Sequence, residues 1–143
     1  MRRTLTLLLA LFCACAALPA WAQAAPEALY RSLGERPGIQ RLMDDFVQRL
    51  KTHGRIGPLF KDTSLKHLSE QLTDQVCELS GGPCKRDGPS MKQAHQDMDI
   101  GHAEFNALVE ALQDSMDAQG VPFGTQNRLL ALLAPLHREI ITR

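Results

Sequence analysis

Apolar residues recur at three- and four-residue spacing from Leu29 to Ile140, and no stretch of useful length alternates apolar with polar. Side chains at that spacing share one face of a helix, so the pattern confines the chain to helices packed on helices. Glycine and proline divide it. Leu29, Tyr30 and Leu33 predict a short first helix stopped by Gly34, and Pro37 suits the first turn of the next. Ile39, Leu42, Met43, Phe46, Val47 and Leu50 then form one apolar face to about Lys51. Gly54 and Gly57-Pro58 end it, with Leu59 and Phe60 in a short turn. Ser64 is a candidate N-cap for a helix to Leu79 with Leu65, Leu68, Leu72, Val76 and Leu79 inward. Residues 80–90 form a polar loop, and a short helix spans about Met91–Gln96. Asp99 is read as the cap of a helix to Gln119, with Phe105, Leu108, Val109, Leu112 and Met116 inward. A last helix covers about 122–141, and Pro135 predicts a break in it. The fold class is therefore all-α, with four substantial helices and no repeat or low-complexity tract.

The 143 residues suffice for one domain, but the first 22 read as a separate segment. Arg2-Arg3, the apolar run Leu5–Ala17 and the small-x-small site Ala20-Trp21-Ala22 have the form of a cleaved secretory signal. An uncleaved anchor is the alternative. Residues 23–28 are then a short linker and 29–143 the domain, exported and expected in the periplasm. Losing Arg2 and Arg3 lowers the 16 basic residues to 14 against 16 acidic, a formal charge of −2. That balance points away from nucleic acid and from stable membrane association. Cys13 and Cys15 leave with the signal. Cys77 and Cys84 remain, seven apart across Gly81-Gly82-Pro83, and in an oxidising compartment either pair as a disulfide or stay separate thiols.

His95 is the residue that calls for chemistry. It lies on the short segment Met91-Lys92-Gln93-Ala94-His95, after Gly88 and before a long amphipathic helix. Haem iron is commonly held by one imidazole on a helix that walls an apolar slot. An ordinary surface histidine is the plainer reading. A metal site from His95, His102 and Glu104 or Asp99 is a weaker one, because residues two apart on a helix do not share a face.

Several pieces in order resemble the truncated haemoglobins of group I. They are Leu29-Tyr30-Arg31-Ser32-Leu33-Gly34, Asp45-Phe46, Leu59-Phe60, Leu79-Ser80-Gly81-Gly82-Pro83, Gly88 before Met91–His95, and Gly120-Val121-Pro122. The resemblance covers Leu29 to about Ile141 and implies the two-over-two helical globin fold. It implies that His95 is the proximal iron ligand, and that Phe46, Val47, Phe60, Leu68, Leu72 and Val76 make an apolar distal pocket with the amides of Gln71 and Gln75 nearby. Thr63, His67, Arg86, Lys85 and Lys92 become candidate propionate contacts. Met91 lies on the proximal side and reads as packing, as do Met98 and Met116. His53, His102 and His137 read as solvent-facing.

Two positions depart from the family pattern. Many members carry a tyrosine directly after the helix-two phenylalanine, where this chain has Val47, and often Tyr-x-Gly before the proximal helix, where it has Arg86-Asp87-Gly88. An apolar distal side removes a hydrogen bond to bound oxygen, so oxygen is expected to be held weakly and carbon monoxide comparatively well. Without a Cys-x-x-Cys-His motif the expected cofactor is non-covalent haem b. The implied function is reversible binding of oxygen, carbon monoxide or nitric oxide. Nitric oxide dioxygenation or peroxidase-like activity would need an electron donor that the sequence does not identify, and the oligomeric state stays open. A non-haem helical binding or sensory module is the alternative function.

Overall fold

A computed structural model describes residues 27–143. The proposed signal and residues 23–26 of the linker lie outside the described residues. Helix α1 spans Glu27–Ser32, and so takes in the end of the segment read as linker. Helix α2 covers Glu35–Thr52 and α3 Leu65–Leu79, with a 3₁₀ turn at Gly57–Phe60 between them. Ser64 caps α3 as expected, its hydroxyl accepting from the His67 N–H. Then come α4 (Met91–His95), α5 (His102–Ala118) and α6 (Phe123–Leu133). Pro135 breaks the last helix where expected: residues 134–136 tighten to 3₁₀, and α7 resumes over His137–Ile140. No strand occurs among the described residues.

Helices α2 and α3 pack together, α2 also lies against α5, and α7 lies against α4. Ile39, Met116 and Leu129, all 0% exposed, join three helices in one apolar core. Two glycines set the spacing at one end of it. A methyl at Gly38 would run into the Leu33 carbonyl oxygen, which backbone cannot move aside. A methyl at Gly82 would lie 2.6 Å from the Tyr30 ring and 2.7 Å from Cys77 Sγ.

The Cys77–Cys84 disulfide is closed, with Cα atoms 5.7 Å apart. It ties the end of α3 to the loop that leads into α4. The Glu78 carboxylate accepts from the Arg86 N–H and from Lys85 Nζ, each at 3.0 Å, and these bonds hold its pKa below the usual value. Closing an eight-residue loop restricts the unfolded chain by about 2.5 kcal/mol on the chain-entropy relation. Replacing both cysteines with alanine is therefore expected to lower unfolding free energy by about that amount in urea titrations.

The structure corrects the start of α5. The helix begins at His102, and Asp99 is not its cap. Asp99 instead takes a left-handed φ of 50°, a conformation that aspartate tolerates better than most residues. The capping partner is Glu104, whose Oε2 accepts from the Gly101 N–H at 3.0 Å. The end of the chain returns to this place. Thr142 Oγ1 accepts from the Ile100 N–H at 2.8 Å, and the Ile100 carbonyl accepts from Thr142 N–H and Arg143 N–H. Arg143 Nη2 donates to Glu104 Oε2 at 2.8 Å, and Arg55 lies 3.6 Å from the other carboxylate oxygen.

The Arg143 hydrogen bond, and after it the Gly101 N–H, hold the Glu104 pKa at about 2, against 4.5 for an ordinary glutamate. A depressed folded pKa stabilises the fold above pH 4.5, and the contribution fades as pH falls toward 2. Glu104→Gln should therefore lower stability at pH 7 and flatten its dependence on pH between 4.5 and 2. Urea midpoints across a pH series read this.

Candidate functional site

A cavity of about 600 Å³ opens between α2, α3, α4, α5 and the segment from α6 to α7. That is within the size range of sites that take a cofactor or a drug-sized ligand. Its wall is mostly apolar, with Thr63, Gln71, Gln75, Arg86, His95 and Asn106 as the polar side chains.

His95 enters from α4, a helix of five residues. A helix this short does not form alone. Its first turn is set by a capping box: Ser90 Oγ accepts from the Gln93 N–H at 3.2 Å, and Gln93 Oε1 from the Ser90 N–H at 3.0 Å. The i, i+4 spacing turns Met91 and His95 to one face, and both line the cavity. The Nδ1 atom of His95 lies 2.7 Å from the Met91 carbonyl oxygen. A carbonyl only accepts, so Nδ1 carries the proton and Nε2 keeps its lone pair. This is the tautomer that an iron or other metal ligand needs.

Helix α2 contributes Met43, Phe46 and Leu50 to the wall, and α3 contributes Leu68, Gln71, Leu72, Gln75 and Val76. Phe60, Thr63, Arg86 and Met91 also line the cavity. Gln75, 9% exposed, donates its amide to the Met91 sulfur at 3.7 Å. The amide oxygen of Gln71 faces Gly88. Arg86 donates to the Pro89 carbonyl.

Four expected site residues, Val47, His67, Lys85 and Lys92, do not reach the cavity; Lys85 is exposed and pairs with Glu78 at 3.0 Å. Val47 is 2% exposed but buried outside the wall, because the face of α2 toward the cavity runs 43, 46, 50. His67 and Lys92 are exposed and absent from the wall. His67 lies in the first turn of α3, on the solvent side of its neighbour Leu68. The other histidines divide. His102 is exposed as expected, whereas His53 and His137 are half-buried, with Nδ1 atoms bonded to Arg55 N–H and the Ala134 carbonyl. The metal reading is overturned among the described residues: no three His, Cys, Asp or Glu side chains converge, and Glu104 is taken by Arg143 and Gly101.

Sequence reasoning missed the far wall. Phe105, Leu108, Val109 and Leu112 of α5 and Leu130, Leu133, Leu136 and Ile140 beyond it close the cavity. The sequence pattern reads the α5 residues as inward-facing. Periodicity does not separate side chains facing a cavity from those facing packed neighbours. Among the described residues no helix is long and apolar enough to cross a membrane.

The model of the bacterial-like globin family matches residues 28–142. A group 1 truncated hemoglobin of Mycolicibacterium paratuberculosis is 28% identical over 120 residues, covering 84% of this chain and 88% of the relative. One from Tetrahymena pyriformis is 25% identical, covering 81% and 96%. The crystal structure of the Tetrahymena pyriformis truncated hemoglobin in its Fe(III) form superposes with a TM-score of 0.77 at 24% identity, over 80% of this chain and 98% of that one. A 2/2 hemoglobin from Synechococcus, in the cyanomet state with covalently attached heme, gives 0.75 at 20% identity over the same shares.

Proposed function

This chain belongs to the bacterial-like globin family, and we propose that it holds haem in the α2–α7 cavity and binds a diatomic gas there, with His95 as the iron ligand. The observation that carries the reading is the His95 imidazole. Its Nδ1 is fixed by the Met91 carbonyl at 2.7 Å, which leaves Nε2 as the ligating atom in a mostly apolar cavity of about 600 Å³. The cavity residues fit the group. Aromatic and aliphatic side chains from all sides of the cavity suit a flat apolar macrocycle, and Thr63 and Arg86 are polar wall residues suited to its carboxylates. When bound, haem supplies an open iron position that takes up oxygen, carbon monoxide or nitric oxide.

The residues of this chain decide the rest. Met91 fixes the tautomer of His95, and the capping box fixes the helix that carries it. Leu68, Leu72, Phe46 and Val76 exclude water from the gas side. Gln75 is the buried amide within reach of this wall, and its present partner is a weakly accepting thioether. Non-covalent haem b is the form proposed, since the chain has no Cys-x-x-Cys-His motif. We place the protein in an exported, oxidising compartment. Residues 1–22 have the form of a secretory signal, and the closed Cys77–Cys84 bridge supports the same reading.

The test is the absorption spectrum of the purified chain mixed with haem. A Soret band at one haem per chain that sharpens and shifts under carbon monoxide supports the proposal. No haem uptake rejects it and leaves a globin-shaped module without haem.

A further inference from the structure

The chain's last two residues converge on the segment that leaves the His95 helix. Ile100 is five residues beyond His95 and 6% exposed, and its N–H and carbonyl both bond to Thr142, with Arg143 N–H sharing the carbonyl. Arg143 then crosses to Glu104 at 2.8 Å and lies 3.7 Å from Asp99. Glu104 in turn caps α5 through Gly101. Just upstream, α7 packs on α4, and the 3₁₀ turn before it and α7 itself place Leu136 and Ile140 in the cavity wall. The five residues of α4 cannot hold their own position, and the connector after them carries the left-handed Asp99.

We propose that Thr142, Arg143 and Glu104 form a clasp that positions His95, fixing the α4–α5 connector and the α7 wall together. These are positioning residues: they touch neither the haem site nor the gas. The inference rests on the haem reading above. It states in addition that the exit of α4 is held by residues 142–143 as well as by the ligand.

Three variants test it: Arg143→Ala, Arg143→Lys and Thr142→Val. Arg128→Ala is the control, because Arg128 bonds Ser32 and Thr125 instead. On the haem-loaded chain, Arg143→Ala and Thr142→Val should shift the iron–histidine stretching band and speed haem transfer to an acceptor globin about tenfold. Arg143→Lys should restore most of both, and Arg128→Ala should move neither. Amide exchange over residues 91–101, read with or without haem, should rise about tenfold in the same two variants while the α2 core stays protected. If Arg143→Ala does not fold, Thr142→Val carries the test. Unchanged exchange over 91–101, or haem loss that merely tracks melting temperature as in the control, overturns the clasp. A wild type that takes up no haem, with exchange at 91–101 still raised in the variants, overturns the haem reading and leaves the clasp as a brace for α4.

Discussion

Replacing His95 with alanine should leave the fold standing and empty it of tightly held haem. His95 is half-buried on a helix with no fully buried residue, so its removal takes little apolar surface from the core. What it removes is the one imidazole nitrogen in the cavity wall whose lone pair is left free by the bond to Met91. The cavity walls would still attract the macrocycle through apolar burial, so weak uptake is expected to persist. We expect haem loss to quicken by at least about a hundredfold, which corresponds to roughly 2.7 kcal/mol. The Soret band should weaken or move, while far-ultraviolet circular dichroism stays at the wild-type level. His95→Gly with added imidazole gives the sharper result. A small ligand that restores the band assigns the lost function to ligation, whereas a spectrum unchanged by either substitution would remove His95 from the iron.

The second large effect concerns oxygen. Leu68 and Leu72 stand in the cavity wall, Gln75 donates its amide to Met91, and the Gln71 side chain lies beside Gly88. With Gln75 held by Met91 and leucines around it, oxygen should leave the wild type quickly. Leu68→Gln should slow its dissociation about ten- to hundredfold, the effect of a hydrogen bond of about 1.5–3 kcal/mol to a partly charged acceptor. Carbon monoxide dissociation should change less than about threefold, because that ligand is less polar. The new amide would be unpaired in an apolar wall when no gas is bound, so some loss of stability accompanies it. Stopped-flow dissociation rates decide the matter. A slow oxygen rate in the wild type would mean that Gln75 gives up Met91 for the ligand.

Much of the architecture was legible because it depends on local chemistry. Ser64 caps α3, Pro135 breaks the last helix, and the apolar faces of α2, α3 and α5 lie inward, except that Leu79, expected inward, is exposed where α3 ends; each of the others follows from a residue type acting within one or two turns. The misplacements share one cause. Val47 is apolar and buried, yet it lies one helical step from the positions that face the cavity. His67 is next to a wall residue and still faces water. Asp99 has the residue type of a cap, but the cap position went to Gly101, with Glu104 closing it.

The sequence by itself determined that the chain is helical, where its helices stop, and that His95 sits on a short helix flanked by family-like residues. Those properties follow from periodicity, capping and backbone sterics, which act over a few residues. Only the tertiary structure decided which apolar side chains line the cavity instead of meeting one another. It also decided that Nδ1 of His95 is occupied, that Cys77 reaches Cys84, and that residues 142–143 return to Ile100 and Glu104. Each of these depends on the angle and distance at which helices pack, and no spacing along the chain encodes that.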